Sequence, residues 1–342
     1  MRNARLRRQT GMTLVEVMVS ITVGLILLSG VLSIFVSNKT AYRLQESTNV
    51  LDENARYALN QIQYHLRMGD HWGGIEANVI KVDSTLAALP IASTTCTQSV
   101  AVSTVGFFAL EGAASSPLSC IPANDYQPNT DVLIIRYAGP ERTAAPNLVA
   151  TDVYLRTRVG ASGMLFKGDA LASLPADIHH TSPDTVNDEA KYPDEANYKF
   201  TTVIYFIRKC ASQDLGTAGV CDAADDTTPT LTRLVLRGTS LVQEDIVAGV
   251  EQMQATFGML TDGVTPKTQY FAANAIAAKD WPKIVNVQVS LIVRGNEFDV
   301  THTDGRTFKL YGGFDYTPVA AVRHFSRKQY NFAVQIRNTT RG

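Results

Sequence analysis

The sequence predicts an α+β protein in which one long N-terminal helix packs on an antiparallel β-sheet head. Two patterns predict this class: apolar residues at helical spacing through the first 68 residues, and segments of strand length and composition through the rest. The chain has 342 residues, 45% of them hydrophobic, so it can bury a core. No linker divides residues 69–342, which are therefore expected to form one head.

The helix is predicted to begin with an apolar segment of 25 residues, from Met12 to Val36. As a helix this segment would be about 37 Å long, and the hydrocarbon core of a bilayer is about 30 Å thick. It is also longer than the apolar part of a cleaved secretory signal, which has about 7 to 15 residues. The positive-inside rule places the preceding end in the cytoplasm and the head in the periplasm of a bacterial cell. The charges that decide this orientation are Arg2, Arg5, Arg7 and Arg8.

An amphipathic continuation is predicted over residues 37–68. Apolar or small residues recur there at spacings of three and four, with charged residues elsewhere on the helical wheel. A helix from Met12 to Met68 would be about 85 Å long. The glycines of "MGDHWGG", residues 68–74, end the pattern. The stripe expected to cover the sheet is Leu44, Thr48, Leu51, Ala55, Ala58, Ile62 and Leu66.

Strands are predicted for six segments of the head. The clearest is residues 283–295, where valines and a leucine alternate with Asn286, Gln288 and Ser290, so that one face is buried and one is wet. The others are residues 131–139, 151–157, 201–209, 231–238 and 252–260. Loops are expected over residues 84–104, 112–130, 179–198 and 211–230.

Charge argues against a nucleic-acid partner. The net charge is −1, and after the four leading arginines 27 Lys and Arg face 32 Asp and Glu. Such a body has no concentrated basic face for phosphates.

The four cysteines form two couples that are close in sequence. Cys96–Cys120 and Cys210–Cys221 disulfides are the simplest interpretation in an oxidising compartment, although three pairings are possible and free buried thiols are the alternative. No CxxC or His–Cys spacing indicates a redox or metal site.

Enzyme signatures are missing from the sequence, which contains no GxSxG, HExxH, phosphate-binding loop or dinucleotide fingerprint. We therefore predict no catalytic residue, no cofactor and no metal. The adjacent His179 and His180 are interpreted as solvated loop residues, and "HTDGR" at 302–306 as an exposed hairpin turn. Two clusters of acidic residues could supply oxygen ligands for calcium, but neither has the spacing of an EF-hand. They are Asp222, Asp225 and Asp226, and Asp184, Asp188, Glu189, Asp194 and Glu195.

Glu16 is the exception within the apolar segment. An ionised carboxylate in a spanning helix costs roughly 2.5 to 3.5 kcal/mol, so such a group usually has a function and a partner. A plain signal anchor explains the basic flank and the length but not this charge. The run Gly11-Met12-Thr13-Leu14-Val15-Glu16 resembles the class III signal of type IV pilins and pseudopilins, which has a basic leader ending in Gly, a bulky apolar residue after the cut, and Glu at the fifth mature position.

This resemblance implies processing and assembly roles. A prepilin peptidase would remove leader residues 1–11 by cutting after Gly11 on the cytoplasmic side, and would N-methylate Met12, where Phe is commoner. Cutting removes the four arginines and creates an amine with an ordinary pKa near 7.7. In the family the carboxylate at the position of Glu16 pairs with the terminal amine of a neighbouring subunit. Pairing compensates the desolvation of the charge only when both partners are present.

Three further segments narrow the resemblance to PilW-type minor pilins. Residues 40–70, with the run 53–59, are similar to the helix continuation of that group, and "VSLIVRG" from 289 and "FAVQIRN" from 332 are similar to its C-terminal part. Membership implies a low-abundance subunit that primes pilus assembly and lies at or near the tip. The implied partners are other minor pilins, the major pilin, the prepilin peptidase, the inner-membrane assembly platform, a tip adhesin and the inner membrane itself. The alternatives are a J-like minor pseudopilin of type II secretion and, behind it, a membrane-tethered periplasmic adhesin or enzyme.

Overall fold

The structure, a computed structural model, describes residues 11–87, 102–158, 160, 162–178, 194–211, 220–222, 226–261 and 267–336. It contains a long helix, α1 (Leu14–Met68), a one-turn helix, α2 (Ser84–Ala87), and a β-rich remainder, so the α+β class is confirmed. The strands are β1 (Ile80–Val82), β2 (Phe107–Leu110), β3 (Val132–Arg142), β4 (Val153–Arg158), β5 (Ser162–Lys167), β6 (Glu195–Arg208), β7 (Thr230–Arg237), β8 (Ser240–Ala248), β9 (Val250–Leu260), β10 (Thr268–Phe271), β11 (Ile284–Phe298), β12 (Phe308–Lys309), β13 (Asp315–Tyr316) and β14 (Phe325–Gln335).

Contacts divide the chain into two compact units, one up to Val50 and one from Leu51 onward. In the second unit the final part of α1 lies on the strands. The predicted stripe is buried from Leu51 to Leu66, whereas Thr48 is exposed. The side chain of Leu44 is not among those that the structure describes. Burying a large aliphatic side chain contributes about 1.5 to 3 kcal/mol, so this stripe holds the helix on the head. Its buried members are Leu51, Ala55, Ala58, Ile62 and Leu66.

Helix α1 ends at Met68, as predicted, and close packing requires a glycine at the next position. The next residue is Gly69, and a Cβ there would lie 2.1 Å from the ring of Phe107. Asp70 then adopts a positive φ of 60°, which turns the chain away from the helix axis. The backbone N–H of Gly69 still donates to the His65 carbonyl at 2.8 Å, so the last turn is closed.

The first sheet has eight strands and branches at β6. One edge of β6 pairs with β3, which in turn pairs with β2. The other edge pairs with β4 through residues 195–199 and with β7 through residues 203–208, because β6 has 14 residues and is long enough for both. Strands β5 and β1 extend the β4 side, and β8 extends the β7 side. All these pairs are antiparallel except β1 with β5.

The second sheet has the order β10-β9-β11-β14 and is antiparallel throughout, and β12 pairs with β13 in a separate ribbon. Where the sequence suggests one sheet, the head thus has two. Gly249, with a φ of 91°, joins β8 of the first sheet to β9 of the second. A Cβ at this glycine would lie 2.6 Å from the carbonyl oxygen of Arg294, so the connection favours glycine on both grounds.

A single hydrophobic core joins the stripe of α1 to both sheets, with buried residues from β3, β6 and β7 and from β9 and β11. Asp131 fixes the two sheets to each other beside this core. Its backbone N–H donates to the carbonyl of Met253 at 3.0 Å, and its carboxylate accepts the N–H groups of Gly112 at 2.8 Å and Ala255 at 2.7 Å. Asp52 of α1 adds a polar contact, accepting from Lys328 at 2.6 Å and from the hydroxyl of Tyr330 on β14.

All six predicted strands are present, but three segments expected to be loops or turns differ. The loop expected over residues 84–104 begins with the one-turn helix α2. The loop expected over residues 179–198 ends earlier, because β6 begins at Glu195, whose buried carboxylate pairs with the buried Arg156. The turn expected to be exposed at 302–306 contains the buried Asp304. This carboxylate accepts two bonds of 2.9 Å from the guanidinium of Arg306, and its backbone N–H donates to the carbonyl of Arg323. In the last two of these places a carboxylate that looked solvated is buried and paired with a guanidinium, which is buried in Arg156 and exposed in Arg306.

Candidate assembly site

The start of α1 carries the predicted processing and assembly residues. Gly11 and Met12 precede the helix and are exposed. Thr13 caps it, since its hydroxyl oxygen accepts the backbone N–H of Glu16 at 3.3 Å. This cap was not predicted from the sequence, although Thr-x-x-Glu before an apolar run is the signal of a capping box. The leader residues 1–10 lie outside the described part of the chain.

The other polar side chains near the start of α1 are satisfied within the helix. The hydroxyl of Ser20 donates to the carbonyl of Glu16 at 2.7 Å, and that of Thr22 donates to the carbonyl of Met18. Such bonds to preceding carbonyls let hydroxyl groups enter an apolar environment. The exposed carboxylate of Glu16 is the one ionisable side chain between Gly11 and Asn38.

The helix end gives Glu16 a local stabilisation, but a small one. A carboxylate in the first turn of a helix gains about 0.3 to 1 kcal/mol from the positive end of the helix dipole. The cost of an ionised carboxylate inside a bilayer is roughly 2.5 to 3.5 kcal/mol. Because the cost exceeds the local gain, a cationic partner for Glu16 is still expected.

The apolar face around Glu16 is continuous. Side chains from Leu14 to Val36 are exposed, and α1 is long and apolar enough to cross a membrane by length and composition. Apolar surface of this extent is stable in a bilayer or against other apolar helices.

The cysteines contribute to the head rather than to this site. Cys210 and Cys221 form a disulfide with a Cα–Cα distance of 5.8 Å that closes the connection between β6 and β7. The second expected pair, Cys96–Cys120, stays a prediction because Cys96 lies outside the described residues.

The acidic groups considered as calcium ligands are used otherwise where the structure describes them. Asp226 accepts the backbone N–H groups of Ala211 at 3.1 Å and Thr228 at 2.7 Å, and Asp194 pairs with Arg158 at 3.5 Å. No group of three or more metal-ligating side chains is found in the described ranges. The remaining candidate ligands lie outside the described ranges; they are His179, His180, Asp184, Asp188, Glu189 and Asp225.

Comparison with known proteins bears on both ends of the chain. Residues 6–32 match the prokaryotic N-terminal methylation motif, and residues 204–338 match the family described as type IV pilus-assembly protein W, PilW. A type IV-like pilin of known structure from Thermus thermophilus is similar over 85% of this chain and 97% of its own, with 9% identity and a TM-score of 0.31. The comparison with curated proteins gives no match.

The apolar helix and the methylation motif fit a membrane-anchored pilin. The matches to the two family models confirm the resemblance to the PilW-type minor pilins of type IV pili. The PilW match spans β7, β8 and the whole second sheet. Two segments that carried the resemblance, from 289 and from 332, are paired neighbours there, with Val289 opposite Phe332 on β11 and β14.

Proposed function

We propose that this chain is a minor pilin that primes assembly of a type IV pilus and lies at or near its tip. Its role is structural rather than enzymatic. Before assembly α1 anchors it in the inner membrane with the head in the periplasm, and a prepilin peptidase cuts after Gly11 and methylates Met12. Its partners are then other minor pilins, the major pilin and the inner-membrane assembly platform. A tip adhesin is a further candidate partner.

The observation that supports this proposal is the position of Glu16. It is a carboxylate in the first turn of a helix whose following side chains are apolar and exposed, and Gly11 and Met12 lie just before it, outside the helix. Paired with the terminal amine of a neighbouring subunit, the carboxylate regains most of what it loses on desolvation. Unpaired, it opposes burial. Glu16 therefore favours the assembled over the single subunit.

The test is a strain that carries Glu16→Val. We expect the variant to insert and to be cut, because it removes an insertion cost, but surface pili and twitching motility should fall while the protein accumulates in the inner membrane. The matched control is Glu53→Val, which makes the same substitution on the exposed side of the same helix beyond the apolar segment. Normal piliation with a stable, cut Glu16→Val protein would refute the role proposed for this carboxylate.

A second measurement separates the pilus from the type II secretion pseudopilus. The native complex is purified through this chain and its members are identified by mass spectrometry. Co-purification with pilus subunits supports the proposal, which the PilW match over residues 204–338 favours. Co-purification with secretion pseudopilins alone would establish the J-like alternative instead.

A further inference from the structure

His65 lies in the last turn of α1, where the helix meets the first sheet. Its side chain is only 8% exposed. The imidazole is surrounded by the rings of Tyr64, Tyr137 and Tyr205, with centroid distances of 5.1, 5.8 and 5.9 Å. Neither the assembly role nor the hydrophobic stripe of α1 explains a histidine at this place.

The hydrogen bonds of His65 define its protonation state. Nε2 lies 3.3 Å from Nη1 of Arg233, and Nδ1 lies 2.8 Å from the hydroxyl oxygen of Tyr137. A guanidinium can only donate, so Nε2 must accept and the proton of the neutral ring must lie on Nδ1. The neutral ring thus connects α1 to β7 through one nitrogen and to β3 through the other.

Protonation would disrupt this arrangement. A charged imidazole has no lone pair on Nε2, so the bond from Arg233 is lost and two cations face each other at 3.3 Å. The nearest carboxylate, Glu244 on β8, already serves two guanidinium groups, pairing with Arg233 at 2.7 Å and Arg237 at 2.8 Å. The remaining groups that face the ring are uncharged: Gln61 and Tyr64 of α1, Tyr137 of β3, and Thr201 and Tyr205 of β6. A second positive charge would therefore remain uncompensated.

A groove lies beside the imidazole ring of His65. The cavity has a volume of about 380 Å³, is open to solvent, and is lined by His65 together with Gln61, Tyr64, Thr201, Arg233 and Arg237. A protonated ring can reach water through this groove if the last turn of α1 moves away from β7.

We propose that His65 is a proton-sensitive latch, which fixes the C-terminal turn of α1 on β3 and β7 while neutral and releases it when protonated. The direction of the pKa agrees with this geometry. Burial, and then the charge of Arg233, lower the pKa of His65 to about 4, so the latch is closed at neutral pH and opens in acid. The released element is the end of the helix that connects the head to the apolar segment.

Hydrogen exchange of the full mature chain in detergent micelles tests the latch. Exchange of residues 58–68 is compared with that of residues 284–293 between about pH 7 and pH 4, after correction for the pH dependence of intrinsic exchange. We expect residues 58–68 to lose protection by about tenfold or more near pH 4 to 5 while residues 284–293 stay protected. Unchanged protection in both segments, or parallel loss in both, would overturn the proposal.

Variants separate His65 from other acid-titrating groups. His65→Gln keeps a side-chain acceptor for Arg233 but does not titrate, so the acid-induced loss over residues 58–68 should disappear. The matched control, His324→Gln, should leave that loss unchanged. If His65→Gln does not fold, a measurement on the wild-type chain still tests the latch. NMR of the six histidines should find His65 with its proton on Nδ1 and titrating together with the exchange transition, and an Nε2-protonated His65 would refute the latch.

Discussion

Buried titratable side chains give the head two opposed pH dependences. Burial raises the pKa of Asp131 to about 7, and the nearby charge of Glu111 adds to the effect. Burial likewise raises the pKa of Asp70 to about 6, whereas it lowers that of His65 to about 4. Between about pH 4 and 6.5 the unfolded state binds the extra proton at His65, so that residue makes stability rise with pH. The two aspartates do the reverse, because there the folded state binds the extra proton.

Asp131→Asn tests the larger of the aspartate effects. The carboxylate accepts two backbone N–H groups, and an amide cannot accept both, so the variant should be less stable by about 1 to 3 kcal/mol. In the wild type, the contribution of Asp131 to the unfolding free energy falls as pH rises from about 4 to 7, and the variant lacks this contribution. The difference in unfolding free energy between the wild type and the variant should therefore be larger at low pH by roughly 3 kcal/mol. Urea unfolding of both proteins at several pH values measures this difference. The exposed Asp315→Asn is the control, and a difference independent of pH would contradict the assignment to Asp131.

Gly11→Leu tests the proposed cut. A Cβ at Gly11 meets nothing within 4 Å, so the folded chain itself tolerates a larger residue there. A peptidase that must fit the chain closely at the cut would not, and we expect an uncut precursor in the inner membrane. Immunoblotting and N-terminal mass analysis provide the measurement. Gly24 is likewise open and lies within α1, so Gly24→Leu should be processed normally. A mature chain that starts at Met12 in the Gly11→Leu strain would show that the cut does not depend on this glycine.

Among the elements, α1 shows where sequence reasoning is strong. The stripe Leu51, Ala55, Ala58, Ile62 and Leu66 is buried as expected, because helical periodicity fixes which residues share a face regardless of what covers them. The end at Met68 was also predicted, because the glycines of residues 69–74 interrupt the helical pattern. The six segments predicted to be strands, which are rich in β-branched and aromatic residues, are strands in the structure.

The elements that were not predicted depend on tertiary partners. Strand β8 carries Glu244 and Asp245 and has no clear alternation, and it exists because it pairs with β7, where Arg233 neutralises one of these charges. Strand β1 has three residues and forms through a parallel pairing with β5, about 80 residues later. The division into two sheets depends on Gly249, whose role is visible only when Arg294 lies against it. The partners of β1 and Gly249 are distant in sequence, whereas β7 and β8 form a local hairpin in which Arg237 lies opposite Ser240.

The candidate assembly site and the buried polar residues of the head show the same difference between local and distant determinants. Gly11, Met12 and Glu16 lie within one local motif and can be read from six consecutive residues. His65 and Asp131 cannot, because each becomes unusual only through side chains or backbone groups from distant strands. Burial of a polar group is a property of the folded chain, and single-sequence patterns do not report it.

Ile62→Ala tests the packing of α1 on the sheets. Ile62 is fully buried in the core that α1 shares with both sheets, so truncation leaves a cavity and should lower the unfolding free energy by about 2 to 5 kcal/mol. The exposed Asn60→Ala, two residues earlier on the same helix, should change it by less than about 0.5 kcal/mol. Thermal and urea unfolding measure both. Equal effects of the two substitutions would mean that this face of the helix is not held by burial.

At the scale of the whole molecule, the question is whether two sheets make one domain or two. The core that includes the α1 stripe takes residues from both sheets, and Asp131, just before β3, is joined to β9 by two hydrogen bonds, to Met253 and Ala255. Neither sheet can bury its inner face without the other and the helix. We therefore propose that residues 69–342 form one domain, which unfolds as a unit.

Tryptophan fluorescence tests this proposal, because the only two tryptophans report on different parts of the head. Trp72 is buried in a separate cluster on the first sheet, with Phe200 at a centroid distance of 6.2 Å. Trp281 lies in the shared core, 5.0 Å from Phe257 of β9 and 5.1 Å from Phe108 of β2. In the single-tryptophan variants Trp281→Phe and Trp72→Phe, urea transitions should coincide with each variant's own circular dichroism transition, and each should be two-state. If Trp281 became exposed at lower urea than the circular dichroism change, the second sheet would unfold first, and the head would be two domains joined by a helix.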